Sequence, residues 1–119
     1  MKRILVVDDD LDILDLVKMA LGMSGYSVET VSRWENMEDT IHEFRPELVL
    51  MDVSLGTADG RELCRKLKAS PETSNIAVVL FSANIEMQKS VGECRADSFL
   101  AKPFDLQRLV KTVREALPE

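Results

Sequence analysis

Six polar positions in this 119-residue chain sit just behind short apolar runs. Asp8 and Asp9 follow Arg3-Ile4-Leu5-Val6-Val7, and Asp52 follows Leu48-Val49-Leu50-Met51, with Ser54 two residues on. Ser82 follows Ile76-Ala77-Val78-Val79-Leu80-Phe81, and Lys102 follows Ser98-Phe99-Leu100-Ala101. If these groups converge, three carboxylates share one site. Their mutual repulsion raises the cost of ionising all three unless a cation joins them. Oxygen-only ligands of high charge suit a hard ion such as Mg²⁺, which takes one or two carboxylates together with phosphate oxygens and water. A lysine and a hydroxyl opposite the metal then have the remaining oxygens of a phosphoryl group to bind. The residue types fit phosphoryl chemistry, with cations neutralising charge on the transferred group.

Convergence depends on the elements that carry the groups. The Leu48–Asp52 stretch, bounded by Pro46 and by Gly56 and Gly60, reads as a fully buried parallel strand with Asp52 at its carboxyl end. Open α/β sheets bind their ligands at that end. Arg3–Val7, Ile76–Phe81 and the shorter Ser98–Ala101 read the same way, and Ser27–Val31 is a weakly alternating second strand. Helical spacing of Ile13, Leu14, Val17 and Leu21 predicts a helix over Leu11–Met23, capped by Asp10 and stopped at Gly25. A second helix runs from about Trp34 to Phe44 and is ended by Arg45-Pro46. Asp59 and Glu62 resemble a capping box ahead of Leu63 and Leu67. A fourth helix is predicted over Glu86–Arg95, and a last one from Asp105 carries Leu106, Leu109, Val110, Val113 and Leu117 inward. Five strands alternating with five helices imply right-handed crossovers and an α/β, doubly wound parallel sheet covered on both faces. All five strand ends then open on one edge.

The bulk properties narrow the function. The length suits one domain spanning residues 1–119, and 45% apolar with 30% charged residues is ordinary for a globular chain. A formal charge of −6 argues against direct nucleic-acid binding, which needs a basic face. No apolar run reaches membrane-span length and no signal-peptide pattern opens the chain. A cytoplasmic protein is the expectation. Cys64 and Cys94 show neither metal nor redox spacing and read as separate, half-buried helix thiols rather than a disulfide. His42 reads as a surface residue on a polar helix face, Trp34 as half-buried packing, and Phe99, taken alone, as core.

Two reaction classes use such a site: a nucleophilic Asp52 that accepts a phosphoryl group, and a metal-dependent phosphatase. Phosphatases of the haloacid dehalogenase class carry a second Asp two residues after the nucleophile as general acid. Ser54 holds that position here and cannot serve, so the acceptor is the better reading. At this point the motifs VVDDD, LVLMDVSL followed by DG, LFSA and FLAKPF, in this order, resemble the receiver domain of bacterial response regulators from Lys2 to about Leu117.

The resemblance implies a flavodoxin-like (βα)5 fold with strand order 2-1-3-4-5, which places Asp8 and Asp9 beside Asp52. It further implies that Asp52 is phosphorylated by a histidine kinase or a histidine phosphotransfer protein. Asp52 and Asp9 would bind Mg²⁺ directly, Asp8 through water, and Ser54 through its backbone carbonyl. Lys102 would pair with the phosphoryl group, next to a cis Lys102-Pro103 bond. Ser82 would move onto a phosphoryl oxygen and Phe99 would turn into the space it leaves. The face of the fourth helix, fifth strand and fifth helix would then change its affinity for a downstream protein. Such a domain assists its own phosphorylation and dephosphorylation but turns over no independent substrate. A self-contained switch or relay shuttle is favoured over a receiver joined to an output domain, because the sequence starts at Met1 and stops soon after the last helix. A receiver that only binds, without phosphorylation, is disfavoured by the intact acidic cluster and Lys102. Against the family pattern, Gly56 replaces a usual Pro, Arg95 a usual Gly and Phe99 a frequent Tyr. These departures touch the output surface rather than the chemistry.

Overall fold

Strand register is what brings the polar groups together. The computed structural model describes residues 1–90 and 92–117. Its central sheet holds β1 (Arg3–Val7), β2 (Ser27–Val31), β3 (Leu48–Asp52), β6 (Ala77–Ser82) and β7 (Ser98–Ala101) in the order β2-β1-β3-β6-β7, all pairs parallel. This is the expected 2-1-3-4-5 order of a doubly wound α/β sheet, once the two short strands β4 (Ser54–Leu55) and β5 (Ala58–Asp59) are set aside as a separate antiparallel hairpin. Val7 lies opposite Met51, so Asp8 and Asp52 leave the sheet side by side. Asp52 lies opposite Phe81, and Ser82 opposite Ala101, which sets Ser82 and Lys102 on the same edge.

Alternation along each strand divides the core into two layers. Leu5, Val7, Val49, Met51, Val78 and Leu80 face α2 (Met37–Phe44) and α3 (Gly60–Ala69), meeting Met37, Ile41, Leu63 and Leu67. Ile4, Val6, Leu48, Leu50, Val79 and Phe81 face α1 (Leu11–Met23) and α4 (Leu106–Ala116), meeting Leu14, Val17, Leu21, Leu109 and Val113. With both faces covered, each central strand must be a continuous apolar run, which is why the sequence shows no alternation there.

The helix ends follow side-chain chemistry. Asp10 caps α1 by accepting from the Asp12 and Ile13 amides at 2.9 and 3.4 Å. Asp105 caps α4 through the Arg108 amide at 2.7 Å. Asp59 caps α3 through the Arg61 amide at 2.8 Å and also holds the Arg61 guanidinium, while Glu62 pairs with Arg65. At the end of α2, Arg45 takes the left-handed conformation with φ 53°.

Four expectations need correction. Residues 86–95 do not form an α-helix: a 3₁₀ segment, Ile85–Ser90, leads to a turn over residues 92–95. Ser90 and Gly92 are weak helix formers inside that stretch, and Cys94 is drawn fully into the core. Val91 lies outside the described residues. The first residues of the predicted second helix, Trp34–Asn36, are likewise 3₁₀, and α2 proper begins at Met37. Leu106 is exposed rather than inward, since it is the first residue of α4 and lies ahead of the stripe that begins at Leu109. Finally, Cys64 and Cys94 are neither separate nor half-buried. Both are fully buried thiols outside any disulfide, and the Cys64 Sγ donates to the Cys94 carbonyl at 3.2 Å. The spacing of 30 residues hid a contact made only when α3 packs beside the turn before β7.

Candidate functional site

Asp8, Asp9 and Asp52 meet at the carboxyl edge of β1 and β3, each offering a ligand atom within 4.8 Å of the others. Asp8 is fully buried, Asp52 nearly so, and Asp9 faces solvent. Both buried carboxylates are oriented locally by amides two residues on. The Asp10 amide donates to the Asp8 Oδ1 at 2.9 Å, and the Ser54 amide to the Asp52 Oδ1 at 3.2 Å. These turns leave each Oδ2 free to face Lys102, whose Nζ lies 3.1 Å from Asp8 and 3.0 Å from Asp52. One ammonium thus serves two buried carboxylates.

The charge balance is therefore incomplete. Burial pushes the Asp8 carboxyl up to about 6; the Asp10 amide and Lys102 oppose that rise, and the neighbouring Asp52 adds to it. Lys102 shows the complementary effect. Burial disfavours its charge, but the bonds to Asp52 and Asp8 outweigh burial and hold its pKa above the usual lysine value. A site with two buried carboxylates, a third at its mouth and one ammonium has a deficit of positive charge. The donors are all oxygen, and this set fits a hard divalent cation.

Lys102 is held by more than its ion pairs. Its Nζ sits 4.6 Å from the centroid of the Phe81 ring, and Phe104 meets Phe81 edge-on with centroids 6.1 Å apart. Lys102-Pro103 is cis, as expected. Ser82 is buried on the adjacent strand, and its Oγ accepts from the Asn84 amide at 3.0 Å. Phe99, on β7, is half-buried against the layer that contains Leu80 and Cys94. Ser54 opens the β4–β5 hairpin and is exposed. The sequence-predicted polar residues are thus gathered on one edge, and Phe99 lies on β7 opposite Leu80, three residues before Lys102.

Three contributors escaped the sequence reading. Phe81 was assigned only to the strand, yet it forms the floor under Lys102. Gly60 packs on the backbone of the acidic residue itself: a Cβ there would lie 2.3 Å from the Asp52 carbonyl oxygen. A glycine at the first position of a helix, where most residues would serve better, is the signal that could have revealed this approach. Trp34 donates through Nε1 to the Thr57 Oγ1 at 3.1 Å, tying the 3₁₀ turn before α2 to the hairpin beside the site. Gly56, at φ +76°, supplies the left-handed residue that this hairpin turn requires.

Comparison with known proteins places this geometry. The chain matches the response regulator receiver domain family over residues 4–114. It is 33% identical to the DNA-binding dual master transcriptional regulator RpaA of Synechocystis sp., across 98% of this chain and 49% of that protein. It is 34% identical to the response regulator MprA of Mycolicibacterium vanbaalenii, across 97% of this chain and 50% of that protein. The chain thus spans about half the length of the curated relatives it matches. Among solved structures, the response regulator TrrA of Thermotoga maritima, in complex with Mg²⁺-BeF, superposes with a TM-score of 0.88 at 26% identity, covering 98% of this chain and 100% of that one. The paired sheet edge, the acidic cluster and the family match over nearly the whole length agree, and the chain belongs to the response regulator receiver domain family.

Proposed function

We propose that Asp52 accepts a phosphoryl group from the phosphohistidine of a histidine kinase or histidine phosphotransfer protein, and that the acyl phosphate switches the affinity of this domain for a downstream protein. The observation that carries the reading is the pairing of Lys102 Nζ with the Oδ2 atoms of both Asp8 and Asp52, at 3.1 and 3.0 Å, beside a third carboxylate. An Oδ of Asp52 forms the new bond to phosphorus while the P–N bond to the donor imidazole breaks, and the imidazole leaves with its electron pair. Lys102 neutralises oxygens of the transferring group. Ser82, on the neighbouring strand end, supplies a hydroxyl to the bound phosphoryl group. Asp8, Asp9, Asp52 and the Ser54 carbonyl would hold Mg²⁺, which supplies charge neutralisation when bound. The charge deficit at Asp8 supports this assignment, as does the Mg²⁺-BeF complex of the TrrA protein.

Displacing Lys102 and Ser82 from their resting partners transmits the event along β7, with Phe99 following into the space beside Ser82. The face so altered comprises the 3₁₀ segment Ile85–Ser90, β7 and α4. The domain, read as residues 1–119, turns over no independent substrate. The DNA binding named for RpaA belongs to a protein of which this chain matches half, and a net charge of −6 argues against such binding by this domain itself. No helix among the described residues is long and apolar enough to cross a membrane, and action in the cytoplasm is part of the proposal.

The test is intact mass after incubation with acetyl phosphate. Gain of one phosphoryl group that requires Mg²⁺ supports the reading. Absence of any gain, or steady release of phosphate from an unrelated phosphomonoester, overturns it in favour of a binding module or a phosphatase respectively.

A further inference from the structure

The phosphoryl site leaves one pair of nucleophilic side chains unused. Cys64, on the buried face of α3, and Cys94, in the turn before β7, are both fully buried and neither is joined in a disulfide. The Cys64 thiol points at the Cys94 residue, donating to its carbonyl oxygen at 3.2 Å. The two thiols also act directly on each other. Burial first, and then the Cys94 thiol, push the Cys64 thiol up to about 12. In the closed protein Cys64 is an inert thiol, since the thiolate is the reactive form, and Cys94 is shielded by its burial.

The surroundings change that once the turn opens. Cys94 follows a six-residue 3₁₀ segment, longer than such segments usually run, and precedes Arg95 at φ 64°. Backbone of this kind opens more readily than the flanking strands. Lys68 of α3 acts on Cys64 electrostatically, and its ammonium is held by Asp97 at 2.8 Å. On opening, the burial that suppresses the Cys64 thiolate is lifted.

We propose that Cys64 and Cys94 form a reversible disulfide by exchange with a low-molecular-weight disulfide, and that the cross-link pins the turn ahead of β7 to α3. One thiolate attacks a sulfur of the reagent, forming a mixed disulfide and releasing one small thiol. The second thiolate then attacks the protein sulfur of the mixed disulfide, forming the Cys64–Cys94 bond and releasing the second small thiol. Two protons and two electrons pass from the protein thiols to the reagent. The cross-link stands independently of the phosphoryl reading. Its consequence rests on that reading, because the pinned turn lies between Ser82 and Phe99, the two residues that have to move.

The test uses the reduced full chain with glutathione disulfide under native conditions, quenched with an alkylating agent and read by intact mass. The expected product has lost two hydrogens, carries no alkyl group, joins the peptides of Cys64 and Cys94, and reverts with dithiothreitol. Cys94→Ala and Cys64→Ala should each stop at a glutathione adduct. Amide exchange over residues 92–97 should slow on oxidation by about tenfold. A wild-type adduct that never resolves to a cross-link would overturn the proposal, as would a cross-link formed only in denaturant. Unchanged exchange in the oxidised form would overturn the pinning. Phosphoryl gain is recorded separately on the reduced protein, where nothing is pinned: a cross-link in the oxidised sample with no phosphoryl gain in the reduced one sinks the phosphorylation reading and keeps the thiol one, and the reverse outcome does the opposite.

Discussion

Asp8→Asn is expected to stabilise the metal-free protein near neutral pH while weakening its response to Mg²⁺. Asp8 is fully buried, and its carboxyl rises from 3.8 to about 6 through burial, with Asp52 adding to the rise. A group whose folded pKa is raised binds more protons folded than unfolded, so stability is greatest below the unfolded value and falls as pH climbs through the folded one. The window here runs from 3.8 to about 6, and above it the whole penalty is present. Two pKa units at 1.36 kcal/mol each give an upper limit of about 3 kcal/mol. Asn keeps an acceptor for the Asp10 amide but gives up the ion pair with Lys102, so the net gain at about pH 7.5 is roughly 1–2 kcal/mol. The assay is urea unfolding across pH, with and without Mg²⁺. At a typical urea slope, that gain moves the midpoint upward by about 1 M. The variant should also lose the fall in stability through the acid window and gain less from Mg²⁺ than the parent does. A variant that is less stable at about pH 7.5 and keeps the acid-window slope would falsify the charge-deficit argument.

Two further substitutions probe how the site is positioned. Gly60→Ala places a Cβ 2.3 Å from the Asp52 carbonyl oxygen and 3.1 Å from the Val53 Cα, both backbone atoms that cannot swing aside. A loss of about 1–3 kcal/mol in chemical unfolding is expected, together with weaker Mg²⁺ binding by titration; an unperturbed variant would show that the contact relaxes freely. Arg45→Gly relieves a non-glycine residue at φ 53° after α2, far from the carboxylates. It should raise stability by about 0.5–1 kcal/mol and leave Mg²⁺ affinity unchanged, and a loss of stability would mean that the Arg45 side chain matters more than its backbone.

What the sequence made legible follows from where the physics is local. Buried parallel strands are continuous apolar runs, so Leu48–Asp52 and Arg3–Val7 were placed to the residue. Once those ends were fixed, Asp8, Asp52 and Lys102 had to share an edge. The parts that were missed depend on contacts between distant segments. The Cys64–Cys94 contact spans 30 residues, and the seating of Lys102 over Phe81 is set by cross-strand packing. Residues 86–95 show a local ambiguity instead. Their apolar spacing allowed a helix, but Ser90 and Gly92 weaken it, and the burial of Cys94 favours a turn. The short β4–β5 hairpin was invisible because two-residue strands carry no period.

The most direct test of the central claim is to locate the phosphoryl group chemically. After Mg²⁺-dependent phosphorylation, borohydride reduction converts an acyl phosphate at aspartate to homoserine, and peptide sequencing by mass reads the converted position. Conversion confined to Asp52, and abolished in Asp52→Asn, is the predicted result. Conversion at Asp8 or Asp9, or a phosphoryl group that resists reduction because it rests on a hydroxyl such as that of Ser82, would contradict the account.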